Sequence, residues 1–383
     1  MKVLHVTHTN LDYDYRIQRE MRAVNKFPFV TEVYGLGVFF DEGAAKDNFE
    51  LDYKNMYLLG RRMPHVYSTN FLRQVFTFCE FLLRASFFII VFRPTVVHAH
   101  DTVALMAARV ARLFINFKLI YDAHELMPHK QGVTKITSWA IGVFERFSWS
   151  KIDQFITVGF KIKDWYLATY GNKIATVIFN SPTPSEKQLL LLEKNYIRAR
   201  FQIPRKAKIF AFAGMFVKGR SIETILDIFA RQDNDLHVIF FGFGDMGCMI
   251  ESAARANTNI HKHEAVPHDD LVAHLEQCDY GLCLIQNVSL SDQLSMPNKL
   301  FEYLQAGLPV LASDLPEISA AVRELDAGVL VDNELGSIKA GISSLLKKSN
   351  YINREKIADY LWPAQELKLK NLYLSINNEV KGE

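Results

Sequence analysis

Short apolar runs of strand length alternate along the chain with amphipathic stretches of helical period, which predicts an α/β architecture with parallel sheets. In the first half, strands are expected at 3–8, 31–35, 96–99, 118–122 and 154–158, with a further strand at 176–179 closing the sheet. Helical patterns fall between them, for example at 15–24 and 103–115. The turn-rich stretch NSPTPSEK at 180–187 then interrupts the pattern. A second series follows, with strands at 207–213, 237–241, 280–285, 309–312 and 328–331 and helices at 221–231, 271–277, 300–305 and 337–347. The tail, 353–376, reads as helix apart from Pro363. The expected division is a first domain at 1–182 and a second at 188–358, each a doubly wound Rossmann-like sheet, facing each other across a central cleft. In such sheets ligands bind beyond the carboxyl ends of the strands, so function is sought at the strand exits.

Composition narrows the function classes. The chain has 383 residues, 49% hydrophobic and 22% charged, which excludes a disordered polymer. A net charge of +2 is not the profile of a dedicated nucleic-acid binder. Cys79, Cys248, Cys278 and Cys283 include no C-x-x-C pair, which argues against a disulfide framework and a structural zinc site and for a reducing, cytoplasmic compartment. No secretory signal is expected, because VLHVTH at the start is only strand length. The most apolar segment, Phe71–Phe92, is interrupted by Arg73, Glu80 and Arg84, so no transmembrane helix is expected.

The strand exits carry the polar chemistry. VVHAHD places His98, His100 and Asp101 after one strand, and DAHE places Asp122, His124 and Glu125 after the next. H-x-H-D resembles half of a metal site, but the residues after Asp101 are a plain helix start without further ligands, so no metal is expected. Asp101 or Thr102 is a candidate N-cap. His98 is expected to be a buried histidine bonded to backbone, on the face opposite His100. In the second half, Gly214-Met215-Phe216-Val217-Lys218-Gly219-Arg220 leads into a helix; its glycines and the helix N-terminus favour an anion, and Lys218 and Arg220 suit a diphosphate. Gly242-Phe243-Gly244 is a lone G-x-G without the spacing of a dinucleotide fingerprint, which counts against a dehydrogenase. MPNKLFEYLQAGLPVLASD at 296–314 begins a helix at Pro297 and ends it at Gly307 and Pro309. Glu302 lies inside that helix, where a carboxylate can bond two vicinal hydroxyls such as those of a ribose; the plainer reading is an exposed helix carboxylate.

PNKLFEYLQAGLPVLASD resembles the donor-nucleotide segment of GT-B glycosyltransferases, specifically family 4. GMFVKGRSIETIL is similar to the phosphate loop of that family, GFGDMGCMIE to its next loop, and IHKHEAVPHDDLVAHLEQCDYGLCLI to its base-binding stretch. VVHAHD and YDAHEL resemble its acceptor-domain strand ends, and DYLWPAQELKLKNLYLSI its C-terminal helix, which implies that about 360–383 packs back on the first domain. The resemblance implies a transferase moving a sugar from a nucleotide-diphosphate donor with retained configuration, with no cofactor and no obligatory metal, in cell-surface polysaccharide synthesis. It implies that Glu302 binds the donor ribose, that Lys218 and Arg220 neutralise the diphosphate, and that Gly214, Gly242, Asn298, Lys299 and Leu300 approach the donor. It also implies that His100 touches the donor sugar and that Asp101, His124 and Glu125 line the acceptor side. Base recognition is assigned to backbone around 265–267.

Two departures bear on this. The first of two usual glutamates is Leu294, so sugar contacts fall to backbone groups around 295–298; and Met215 replaces a basic residue, with Arg220 the substitute. Asp14 and Arg16 are expected to order the first loop near the donor phosphates. Competing readings are a nucleotide-sugar 2-epimerase and a catalytically impaired nucleotide-sugar binding subunit. Charge is divided unevenly: residues 1–180 hold 22 Lys+Arg and 16 Asp+Glu, and 54–118 hold nine basic and two acidic residues. Phe71–Phe92 is therefore read either as a core helix or as an interfacial helix on an anionic membrane surface, suited to a lipid-linked acceptor at the inner face of the cell membrane.

Overall fold

The computed structural model describes residues 1–39, 56–60, 71–183, 195–232, 235–347 and 354–382. The expected linker at 180–187 lies outside the described residues from position 184 on. The chain divides into two compact units, Met1–Ile178 with Glu366–Glu383, and Phe179–Gln365.

The first unit holds seven strands: β1 Lys2–Val6, β2 Glu32–Phe39, β3 Met56–Gly60, β4 Val96–His100, β5 Lys118–Ala123, β6 Gln154–Thr157 and β7 Ala175–Val177. All pair in parallel, in the order β3-β2-β1-β4-β5-β6-β7. Helices cover the sheet, so its central strands are buried throughout and read as near-continuous apolar runs. The helix Tyr15–Asn25 starts where Asp14 accepts the Ile17 N–H, at 3.2 Å. The helix Phe71–Phe92 lies along the helix Asp101–Ala111, where Ser86 Oγ donates to the Ala107 carbonyl at 3.1 Å. The helix Lys135–Trp149 is pinned by Glu145, whose carboxylate accepts hydroxyls from Thr102, Tyr121, Tyr166 and Tyr170. The C-terminal helix Trp362–Gly382 takes Pro363 in its first turn, where the missing N–H is tolerated, and buries Tyr373 against His98 in the first unit.

The second unit holds six strands: β8 Lys208–Ala213, β9 Leu236–Phe241, β10 Ile260–His263, β11 Tyr280–Cys283, β12 Val310–Ser313 and β13 Gly328–Val331. They are parallel in the order β10-β9-β8-β11-β12-β13. Phe210 on β8 packs between Phe229 and Tyr280, with ring centroids 5.5 and 4.9 Å away. The helix Asn298–Gln305 is locked to the sheet centre by Tyr303. A Cβ at Gly281 would stand 2.4 Å from the Tyr303 ring, so only glycine lets the ring lie over β11. The Tyr303 hydroxyl accepts the Ala213 N–H at 2.8 Å and donates to the Leu282 carbonyl at 3.3 Å.

Strands β3 and β10 and the helices Gly247–Ala256 and Pro316–Glu324 were not among the expected elements, while Lys135–Trp149 and Phe160–Tyr170 fill gaps between strands where helical patterns were expected without stated bounds. IHKH hides as a strand because His261 and Lys262 are only half-buried at a sheet edge, which breaks the apolar run. In each sheet the chain reverses direction of growth between two central strands: β1 and β4 in the first, β8 and β11 in the second. Ligands of open α/β sheets sit at the carboxyl ends of such a strand pair.

Candidate functional site

At the first of these switch points, β1, β4 and β5 bring together His5, His98, His100, Asp122 and His124. His5 Nδ1 and His100 Nε2 share a hydrogen bond of 2.9 Å, and His100 Nδ1 meets His124 Nε2 at 3.1 Å. The helix Tyr15–Asn25 adds Arg16, which grips both oxygens of Asp122 at 3.0 Å, and Glu20, one turn on, 3.1 Å from the Arg16 Nε. All but His124 are buried. Residues two apart on a strand share a face, and the His98 and His100 rings stack 4.4 Å apart. The expectation that they point to opposite faces is therefore corrected; His98 is buried, as expected, but its Nδ1 bonds the Tyr373 hydroxyl at 2.9 Å rather than backbone.

Electrostatics sorts these groups. Burial alone would raise Asp122, but Arg16, His124 and the hydrogen bonds of His100 and His124 outweigh it and hold it well below the carboxylate range. His124 is pulled down by burial, yet Asp101 and Asp122 overcome this and raise it to about 9, so it is a cation at neutral pH. Burial, joined by neighbouring imidazoles, lowers His5, His98 and His100, which are neutral. Burial raises Glu20 to about 8 against the pull of Arg16. His5, Glu20, His98 and His100, and separately His100, Asp122 and His124, each offer ligand atoms within 4.8 Å of one another. Those sets have the right donors for a divalent ion. However, Arg16 and the charged His124 already balance Asp122 and Asp101, while burial keeps Glu20 protonated at neutral pH, so a dication would bring uncompensated charge into a buried site. The cluster is a self-neutralised network.

Its relation to the expected acceptor residues is uneven. His100 is fully buried with both ring nitrogens engaged inside the first unit, so it orients His124 and presents no nitrogen to a ligand. Asp101 sits at φ 63° and its carboxylate accepts the His124 N–H at 3.0 Å. His124 is the partly exposed member, and Glu125 beside it pairs with Lys130 at 2.6 Å. Asp14 caps the helix and also accepts the Thr9 hydroxyl at 3.1 Å, which ties down the first loop, while Arg16 belongs to the Asp122 pair.

At the second switch point two glycine turns interlock. Gly214 (φ 126°) and Gly242 (φ 147°) leave β8 and β9, and a Cβ on Gly242 would fall 2.0 Å from the Gly214 carbonyl oxygen. Beneath this turn lies Lys299, in the first turn of the helix Asn298–Gln305. Its Nζ stands 3.9 Å over the Phe212 ring and 3.7 Å from where a Gly214 side chain would begin. It is 9% exposed and its ammonium has no hydrogen-bond partner. Burial, reinforced by Arg220, lowers it to about 8 although Cys283 and Glu302 pull upward. Glu302, buried, follows at i+3 on the same helix face. Arg220, by contrast, is held 3.5 Å from Asp292, and Lys218 is exposed. Asn298 is exposed at the helix start, and Leu300 is core, so only its backbone could reach a ligand.

Comparison with known proteins bears first on the second half. The family model described as "Glycosyl transferases group 1" matches residues 193–360. The second unit is therefore similar to a glycosyl transferases group 1 domain. No curated protein matches the chain. Among solved structures, sucrose-phosphate synthase from Thermosynechococcus elongatus is similar at 14% identity and a TM-score of 0.75, covering 98% of both chains. HepE of Anabaena in complex with UDP and glucose is similar at 12% identity and 0.62, covering 100% of this chain and 98% of that one. A putative UDP-N-acetylglucosamine 2-epimerase from Listeria monocytogenes follows at 15% and 0.64, covering 100% and 97%. At these identities the likeness is one of fold. The fold is GT-B.

In the second unit the sequence pointed at Lys218 and Arg220 for the diphosphate, whereas the buried cation without a hydrogen-bond partner is Lys299, named there only as approaching the donor. Its signal is a lysine in the first turn of an otherwise buried helix. In the first unit His5, Arg16 and Glu20 completed a network that sequence had reduced to its His-Asp dipeptides. Only an i,i+4 Arg-Glu pair on a polar helix hinted at Arg16 and Glu20.

Proposed function

We propose that the protein is a retaining glycosyltransferase of the family 4 kind. It moves a sugar from a nucleotide-diphosphate donor to a glycan or lipid-linked acceptor in cell-surface polysaccharide synthesis. The observation that carries this reading is the unpartnered, buried Lys299 beneath the Gly214 turn, at the switch point of a unit similar to a group 1 domain. A desolvated ammonium without a hydrogen-bond partner is costly, and a phosphate oxygen is an anion that would offset that cost. Lys299, with Lys218 and Arg220 at the loop, would neutralise the diphosphate as the bond from the sugar C1 to the phosphate oxygen breaks. Glu302 would accept the ribose hydroxyls. The new bond forms between C1 and an acceptor hydroxyl, whose proton leaves with the nucleoside diphosphate. No metal is needed where fixed cations carry the leaving group.

The first unit would serve the acceptor. His124, held charged by Asp101 and Asp122, would act there as a hydrogen-bond donor and not as a base, with His100 fixing its ring. Glu125 and Asp101 would complete the acceptor side. With a lipid-linked acceptor, the reaction would run at the cytoplasmic face of the cell membrane.

A panel of labelled UDP-, GDP- and ADP-sugars tests this. Transfer to acceptor with retained configuration, impaired in Glu302→Ala, Arg220→Ala and Lys299→Met, is the expected result. The likeness to a putative 2-epimerase makes inversion at C2 without transfer the rival outcome, and tight binding without turnover would indicate a binding subunit. Unchanged kinetics in all three variants would remove the donor-site assignment.

A further inference from the structure

The helix Phe71–Phe92 has two apolar faces. Phe81, Ala85 and Ile89 are buried and face inward. Phe76, Leu83, Phe87 and Val91, on the opposite side, are each 61–69% exposed. Positions 83, 87 and 91 recur every four residues, so they form one continuous stripe. Only 22% of the window Val75–Phe92 is buried, which excludes the plain core-helix reading. By length and composition the window is apolar enough to cross a membrane, which departs from the expectation drawn from its charged interruptions; its inner face is packed on protein, which suits a helix lying on a bilayer.

The end of this helix is basic. The helices Phe71–Phe92 and Asp101–Ala111 both finish at the edge of the sheet where β4 and β5 begin: Thr95 bonds Lys2, and Lys118 bonds Thr95. The same edge carries Leu113 and Phe114, 75% and 69% exposed. At or beside the ends of the elements that meet there are Lys2, Arg93, Arg109, Arg112 and Lys118. Lys2 Nζ lies 3.6 Å over the Phe92 ring. Asp153 and Glu379 pair with Arg112 and Lys118, so Lys2, Arg93 and Arg109 have no acidic partner among the described residues. Partial burial lowers Arg109, and so does Arg112 nearby, which shows how closely the positive charge is crowded.

We propose that the outer stripe of Phe71–Phe92, with Leu113, Phe114 and the surrounding arginines, docks on the surface of an anionic lipid bilayer. The apolar side chains enter the acyl boundary while Lys2, Arg93 and Arg109 meet lipid phosphates. A second copy of the chain is a poorer occupant, because a twofold contact through this face would set the arginines against each other. The inference rests on the first unit alone and is independent of sugar-transfer chemistry.

Co-flotation of the full chain with phosphatidylcholine vesicles, with and without about 30% phosphatidylglycerol, tests it. Binding is expected with the anionic vesicles and is expected to weaken as salt is raised. L83E/F87E should lower the partition coefficient at least about tenfold, since each charge forfeits the burial of one large apolar side chain. R93E/R109E should abolish the preference for anionic over neutral vesicles while leaving the thermal melt unchanged, which separates surface loss from misfolding. Absence of binding to either vesicle overturns the proposal, as does unaltered binding by both variants. A concentration-dependent dimer that L83E/F87E dissociates, with no vesicle binding, also overturns it in favour of self-association.

Discussion

The two units carry sheets wound in the same order around the same kind of switch point, yet they treat charge in opposite ways. At the carboxyl ends of β1, β4 and β5, charge is closed upon itself: Arg16 and His124 answer Asp122, and neutral imidazoles fill the gaps. At the carboxyl ends of β8 and β11, a lysine is buried with no hydrogen-bond partner among the described residues, and Glu302 only partly offsets its burial. A network whose charges cancel stabilises its own unit and gives a ligand little to add. An uncompensated charge costs stability until a ligand of opposite sign arrives. The same topology can therefore serve as a rigid support or as a binding site, and the difference lies in whether polar groups are satisfied before the ligand comes.

The comparison is broken most forcefully by Arg16→Met, which leaves buried Asp122 with His124 as its remaining counter-charge. A loss of about 3–5 kcal/mol in chemical denaturation of the first unit is expected; a loss below 1 kcal/mol, about that of a surface pair, would show the pair to be redundant.

Acidification is next. His5, His98 and His100 are depressed in the folded state, so their contribution is complete above the ordinary histidine pKa and is lost as pH falls below it. Asp122 acts in the same direction at lower pH. The raised His124 contributes fully below its ordinary value and loses that contribution only as pH rises through about 9. Stability should fall between about pH 6.5 and 5 with a slope greater than one proton's worth, about 1.4 kcal/mol per pH unit. A pH series of denaturation curves measures it, and a flat profile would contradict the neutral assignment of the three histidines.

In the second unit loss of the buried cation should act in the opposite direction to Arg16→Met, while the pH dependence keeps the sign of the first unit's histidines. Lysine 299 is depressed, so its burial costs stability at neutral pH and the cost is relieved as pH rises above about 8. Lys299→Met should stabilise the unit by about 1–3 kcal/mol, because it removes an unpaired charge. It should at the same time weaken the thermal shift given by UDP or GDP about tenfold in apparent affinity, near the 1.4 kcal/mol per decade of a single charge contact. A variant that is both less stable and unaffected in nucleotide binding would reverse the contrast between the units. The smallest effect is expected from Tyr373→Phe, which takes from His98 its Tyr373 hydrogen-bond partner: about 1 kcal/mol, read by the same denaturation assay.

The apolar runs made most strands legible, because both faces of each central strand are buried and the sequence must show it. The strand ends were legible too, since His100, Asp101, Asp122 and Gly214 are polar or glycine residues directly after such runs. Strand β10 escaped because its alternation at an edge resembles a loop. His5 escaped because a histidine inside an apolar strand carries no sign of its partner, and His100, 95 residues away, is that partner. Periodicity on Phe71–Phe92 was ambiguous for a different reason: a helix apolar all round does not say which face is covered.

By itself the sequence determined the α/β class, two series of strands, the positions of the strand exits and the glycine turn over a basic loop, all of which follow from short-range patterns of side chains. Only the tertiary structure decided that His100 is enclosed, that Arg16 belongs to Asp122, that Lys299 is buried without a partner and that the outer face of Phe71–Phe92 is bare. Each of these depends on which side chains, distant in the chain, remove water from one another, and a local pattern holds no record of that.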